Sequence, residues 1–155
     1  MDKIIVNDTV AKVIIILPII LGFSVGFFTK PDNWYANLNK APINVPSITF
    51  SIVWSILYIF IGIAYYLALK NKSITYWVFP IIHLMFNLSY TPILFVYHKI
   101  LLSCIVIIIV LLSAIYLAYL FYYYDKTGYA YILLIPYILW LCFANYLAWS
   151  LYFLN

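Results

Sequence analysis

Three sets of side chains recur at three- and four-residue spacings inside long apolar runs: Trp54 with Tyr58, His83 with Asn87, and Pro136 with Trp140, Ala144 and Leu147. On a helix each set occupies one face. Indole and phenol rings offer flat, polarizable surfaces with one N–H or O–H handle, and the Asn87 amide both donates and accepts. His83 has a sharp reading, an axial ligand to haem iron or a proton-sensitive donor. Its bland and commoner reading is a neutral ring hydrogen-bonded to a neighbouring helix. Trp54 likewise divides between a membrane-interface residue and a pocket wall. Polar groups inside a span are costly in hydrocarbon and face the bundle interior. Other chemistry is lacking. Asp2, Asp8, Asp32 and Asp125 are the only acids and all lie outside the apolar runs, so there is no carboxylate relay for an ion-coupled pump. No catalytic triad, carboxylate pair, metal cluster or phosphate loop can be assembled. Cys104 and Cys142 lack ligand spacing and read as small hydrophobes.

The elements that must position these residues are membrane-spanning helices. The chain has 155 residues, 68% of them hydrophobic and 8% charged, too little charge to cover a soluble domain of this size. Its basic residues are lysines in tails and loops, which offers no nucleic-acid surface. Five apolar runs, at about 10–28, 48–69, 74–97, 100–124 and 129–153, are long enough to cross a bilayer with their backbone groups paired internally. The first lacks a small-residue cleavage site, so it reads as a helix rather than a signal peptide. The expectation is an all-α, integral membrane bundle of five transmembrane helices in one domain, residues 1–155. Gly22 and Gly26 have close-packing spacing, either within the monomer or across a homodimer. Trp77 reads as an interfacial belt residue, and the fourth span as purely structural.

Residues 30–47 join the first two spans. Pro31, Asp32, Asn33, Asn37, Asn39, Pro42 and Pro46 make them a loop, while Trp34, Tyr35 and Leu38 give that loop an apolar side to bury. It reads as a packed lid.

Trp34-Tyr35-x-x-Leu38-x-Lys40, Pro42 and Pro46, followed by Trp54-x-x-Leu57-Tyr58, resembles the translocator protein or tryptophan-rich sensory protein (TspO/MBR) family, in a bacterial-type member. His83, Asn87, Tyr90 and Pro92 in the third span and Pro136-Tyr137-x-x-Trp140 in the fifth extend the likeness over nearly the whole chain. Departures are Ala41 for a proline, Ile43 for an aromatic, Val45 for the first of two prolines, and His83 for the usual glutamine. Residues 147–155 contain no Lys or Arg, so the pattern proposed for sterol contact is missing. The resemblance implies a multi-pass protein of the cell membrane with an aromatic cavity for tetrapyrroles, protoporphyrin or haem, as ligands rather than as a required cofactor. Its partners would be those ligands and membrane lipid. The ligand-binding residues it implies are Tyr35, Pro46, Trp54, Tyr58, His83, Asn87, Trp140, Ala144 and Leu147, with transport or sensing as the role. The alternative it implies is oxidative or light-dependent breakdown of protoporphyrin through Trp54 and Trp140. A third reading, an unrelated haem electron carrier, would need His98, far along the axis from His83.

Overall fold

The computed structural model describes residues 4–43 and 45–155. Asn44, within the lid, lies outside the described residues. The protein is an integral membrane helical bundle with five helices long and apolar enough to span a bilayer.

The first span is broken. Asn7 caps α1 (Asp8–Ile14) by accepting from the Val10 N–H at 2.9 Å. Pro18 has no N–H with which to continue the ladder, so it sits in the first turn of a second helix, α2 (Leu17–Phe28). The break serves packing: the Ile15 carbonyl oxygen lies against Gly62 of α4 (Ser47–Leu69), where any Cβ would collide with it. Farther along, α2 crosses α4 at Gly22, and a Cβ there would lie 2.7 Å from Tyr58 Cζ. The expected glycine pair is thus split. Gly22 is a close approach within the monomer, whereas a Cβ on Gly26 would meet nothing within 4 Å.

After the lid and α4, the third span is α5 (Thr75–Thr91), ending in a wider π-helical turn, Pro92–Val96. The last two spans, α6 (Ile100–Tyr124) and α7 (Tyr129–Leu154), form a hairpin. Gly128, at φ +77°, supplies its left-handed turn. Asp125 completes that turn by accepting from Thr127 N and Oγ1 and, at 2.9 Å, from the first-turn N–H of Ala130. Burial pushes the Asp125 carboxyl up, but these donors outweigh it and hold it below the ordinary range.

The core lies where α4, α6 and α7 meet. Ala64 and Ala68, Ala114, and Ala144 and Ala148 are all buried, and their small size lets the backbones approach. Cys104 donates to the Ala148 carbonyl at 3.2 Å across that contact. Trp77 corrects the belt expectation: it is 1% exposed and belongs to the core. Standing at the start of a span says how deep a residue sits, not which way it faces, and Trp77 faces inward.

Candidate functional site

Two structures meet around the expected residues: a buried polar chain between helices and an aromatic wall beside it.

The polar chain begins at Tyr58, beneath Gly22. Its hydroxyl donates to Asn87 Oδ1 at 2.9 Å. Asn87 Nδ2 donates to the Tyr137 hydroxyl of α7 at 2.8 Å. Tyr137 lies 3.0 Å from His83 Nε2, and His83 Nδ1 lies 2.7 Å from Ser113 Oγ on α6. Ser113 donates its one proton to the Val110 carbonyl at 3.0 Å. That last bond orders the whole chain. With its proton committed, Ser113 can only accept, so Nδ1 of His83 carries a hydrogen. Nε2 is then the bare nitrogen and accepts from the Tyr137 O–H, while Tyr137 accepts from Asn87. Each residue from Asn87 to Ser113 both donates and accepts within the line, as burial of its centre demands. His83, Asn87 and Tyr137 are 1%, 5% and 0% exposed.

This geometry explains the departure at 83. A glutamine there could accept from Tyr137 through Oε1 and donate to Ser113 through Nε2, the same two roles in the same order. It also bears on haem. One ring nitrogen of His83 carries a proton and the other's lone pair is engaged, so neither is free for iron, and axial ligation does not fit.

The aromatic wall lies on α4 and α7. Trp54 is 5.5 Å from Tyr58 and 6.1 Å from Tyr137, centroid to centroid. One turn earlier on α4, Phe50 meets Trp140 edge-on at 5.3 Å, and Trp140 leans on Phe143 at 5.5 Å. Both tryptophans are only half-buried, so ring surface remains for another molecule. The Trp140 Nε1 atom is buried with no acceptor, a donor left unspent at some cost. Ala144, one turn on, is buried, and Leu147 half-buried. Pro136 is exposed, so the face expected from spacing begins at Trp140.

The lid is built separately. Asp32 caps the short helix α3 (Asn33–Asn37), accepting from the Tyr35 N–H at 3.0 Å through one oxygen and meeting His98 Nε2 at 3.0 Å with the other. The Tyr35 N–H is the main cause of a carboxyl held below its ordinary range, with His98 adding to it. Trp34 stacks on His98 at 4.1 Å, and Tyr35 meets Phe95 edge-on at 4.9 Å. Lys40 folds back onto the Ala36 and Leu38 carbonyls at 2.9 and 3.1 Å, a cation at a helix C-terminus. That contact accounts physically for the lysine spaced after Trp-Tyr. Asn39 and Asn155 exchange hydrogen bonds of 2.9 and 3.0 Å, tying the lid to the end of α7. Burial raises the Tyr35 phenol above its usual range. Pro46 is exposed at the start of α4.

Trp54, Tyr58, Asn87, His83 and Trp140 are therefore brought into one neighbourhood, while Tyr35 contacts Phe95 and Lys40 instead. A groove of about 430 Å³ runs between Ala41–Pro42 and Asn145, Trp149 and Phe153 of α7; none of the ligand-binding residues expected from the sequence lines it. Two members of the polar chain were missed. Tyr137 is one of 17 tyrosines, and Ser113 is one of two serines in the most lipid-like span, so the purely structural reading of that helix is corrected. The one available signal was that a buried His in hydrocarbon requires two partners.

Fold and site together define a multi-pass helical membrane protein with an aromatic, uncharged interior. The chain belongs to the TspO/MBR family, whose family model matches residues 14–154. It is 33% identical to the tryptophan-rich protein TspO of Archaeoglobus fulgidus over 153 residues, 94% of this chain and 95% of that one. It is 30% identical to the tryptophan-rich sensory protein of Cereibacter sphaeroides over 116 residues, 74% and 72% of the two chains. It is 26% identical to the tryptophan-rich protein TspO of Bacillus cereus over 131 residues, 83% and 84% of the two.

Proposed function

We propose that the protein is a membrane receptor or sensory regulator that binds tetrapyrroles, protoporphyrin or haem, against Trp54 and Trp140, with transport of the ligand as an added role. The observation that carries this reading is the Trp140 Nε1 donor, buried and without an acceptor beside half-buried indole faces. A large planar molecule with peripheral carbonyl or carboxylate oxygens would satisfy both features: its faces stack on the rings and one oxygen takes the N–H. Family membership and the sensory name of one relative support the receptor role. Haem would bind through its faces, since His83 offers iron no lone pair.

Titration of the purified protein with protoporphyrin in detergent tests the reading. Stacking contributes about 0.5–1.5 kcal/mol beyond area burial, so removing a ring in Trp54→Ala or Trp140→Ala should weaken binding roughly three- to tenfold, and a Phe at either position, which keeps a ring, should weaken it less. Unchanged binding in both alanine variants would refute the site. A second reading, oxidative or light-driven breakdown of protoporphyrin, is favoured by the 6.1 Å approach of Trp54 to Tyr137. Product analysis after illumination separates the two.

A further inference from the structure

We propose that Tyr137 and His83 form a proton-coupled redox pair, which makes Tyr137 the resting place of an electron hole that enters the protein at Trp54. The inference rests on the ligand reading above only for its natural oxidant, a photoexcited planar aromatic molecule lying on Trp54 and taking up one electron.

Two tyrosines adjoin Trp54, and their hydrogen-bond partners decide between them. The Tyr58 ring is 5.5 Å away and the Tyr137 ring 6.1 Å, so distance does not discriminate. A phenol that loses an electron becomes a strong acid, and in an apolar interior it must hand its proton to a base at hydrogen-bond distance. Tyr58 donates to Asn87 Oδ1, an amide oxygen with negligible basicity. Tyr137 donates to His83 Nε2, the bare nitrogen of a neutral imidazole. Only Tyr137 has somewhere to send its proton.

An electron leaves Tyr137 and restores the oxidised Trp54 indole. The Tyr137 O–H bond breaks, and its proton forms an N–H bond at His83 Nε2. The products are a neutral phenoxyl radical, still receiving the Asn87 N–H, and an imidazolium, still donating from Nδ1 to Ser113. No heavy atom has to move. When an electron returns to Tyr137, the proton goes back along the same hydrogen bond.

The test needs no ligand. An ultraviolet flash photoionises indoles in place, and transient absorption with electron paramagnetic resonance then follows the radical. In the ligand-free protein we expect the indole radical to convert to a neutral tyrosyl radical whose high-field spectrum carries a hydrogen bond from an imidazolium. His83→Gln keeps both hydrogen-bond roles but removes the base, so it should lose the tyrosyl signal, as should Tyr137→Phe. Tyr58→Phe should retain it. A signal undiminished in His83→Gln, or abolished by Tyr58→Phe, would overturn the proposal. So would a wild-type radical that stays on indole, a result that holds even if the variants fold poorly. Protoporphyrin titration of the same samples reads ligand binding separately, so failure of the relay and failure of the ligand reading are distinguishable.

Discussion

The interior polar chain and the lid latch use similar numbers of hydrogen bonds for opposite ends. From Tyr58 to Val110 every partner is uncharged and used in one direction, with His83, Asn87 and Tyr137 buried and Tyr58 and Ser113 half-buried at its ends. In the lid, the Asp32, Asn39 and Asn155 bonds are exposed to solvent and are joined by the His98–Asp32 pair. Breaking a buried bond strands a group in hydrocarbon, whereas a broken lid bond is replaced by water. The chain should therefore behave as fixed scaffold and the lid as the part that opens at low cost. A ligand site between them would have one rigid wall and one movable cover.

The largest expected effect comes from removing the junction of the chain. His83→Leu leaves Tyr137 without its acceptor and Ser113 without its donor, and should destabilise the protein by roughly 1–3 kcal/mol, read as a lowered unfolding midpoint in detergent. Close behind, Gly22→Ala forces a methyl into the Tyr58 ring and should cost about 1–3 kcal/mol. Gly26→Ala, which opens onto empty space, should leave the midpoint unchanged. A dimer through α2 would reverse that order at Gly26, which cross-linking would report.

In the lid, Asn39→Ala should speed amide exchange through residues 33–40 while leaving global unfolding within about 0.5 kcal/mol of wild type. Exchange that is already fast in the wild type would remove the latch from the account. Acid should act on the carboxylates outside the interior chain, in the lid at Asp32 as well as at the Asp125 turn and at Asp8. The folded Asp32 carboxyl titrates below its ordinary value, so its contribution to lid closure is fully present above the unfolded-chain value of about 3.9. It is lost as pH falls through the lowered folded value. Lid exchange should accelerate over that acid range, while the interior chain, which contains no carboxylate, keeps its protection. The smallest effect is expected from His83→Gln. It should stay within about 0.5 kcal/mol of wild type, because glutamine repeats both hydrogen bonds.

The spans were legible because a bilayer leaves no alternative to internally bonded apolar segments. The inward turn of Asn87 was legible, since an amide inside a span must find a partner; that the partner is Tyr58 needed the structure. The roles of Tyr137 and Ser113 were not legible: Tyr137 stood in the Pro136-Tyr137-x-x-Trp140 motif with nothing to mark it as the partner of His83, and Ser113 is a hydroxyl that also bonds its own helix at Val110. The inward turn of Trp77 and the split between Gly22 and Gly26 depend on how neighbouring helices rotate, which apolar runs leave open. The break between α1 and α2 was visible only as Pro18. Its purpose, the Ile15 carbonyl against Gly62, needed the packed structure.

The most direct test is nitrogen-15 magnetic resonance of the imidazoles in labelled protein, with His98→Gln used to assign the signals of its two histidines. The chain requires His83 to be neutral, protonated at Nδ1 and bare at Nε2. A ring protonated at Nε2, alone or together with Nδ1, would contradict it.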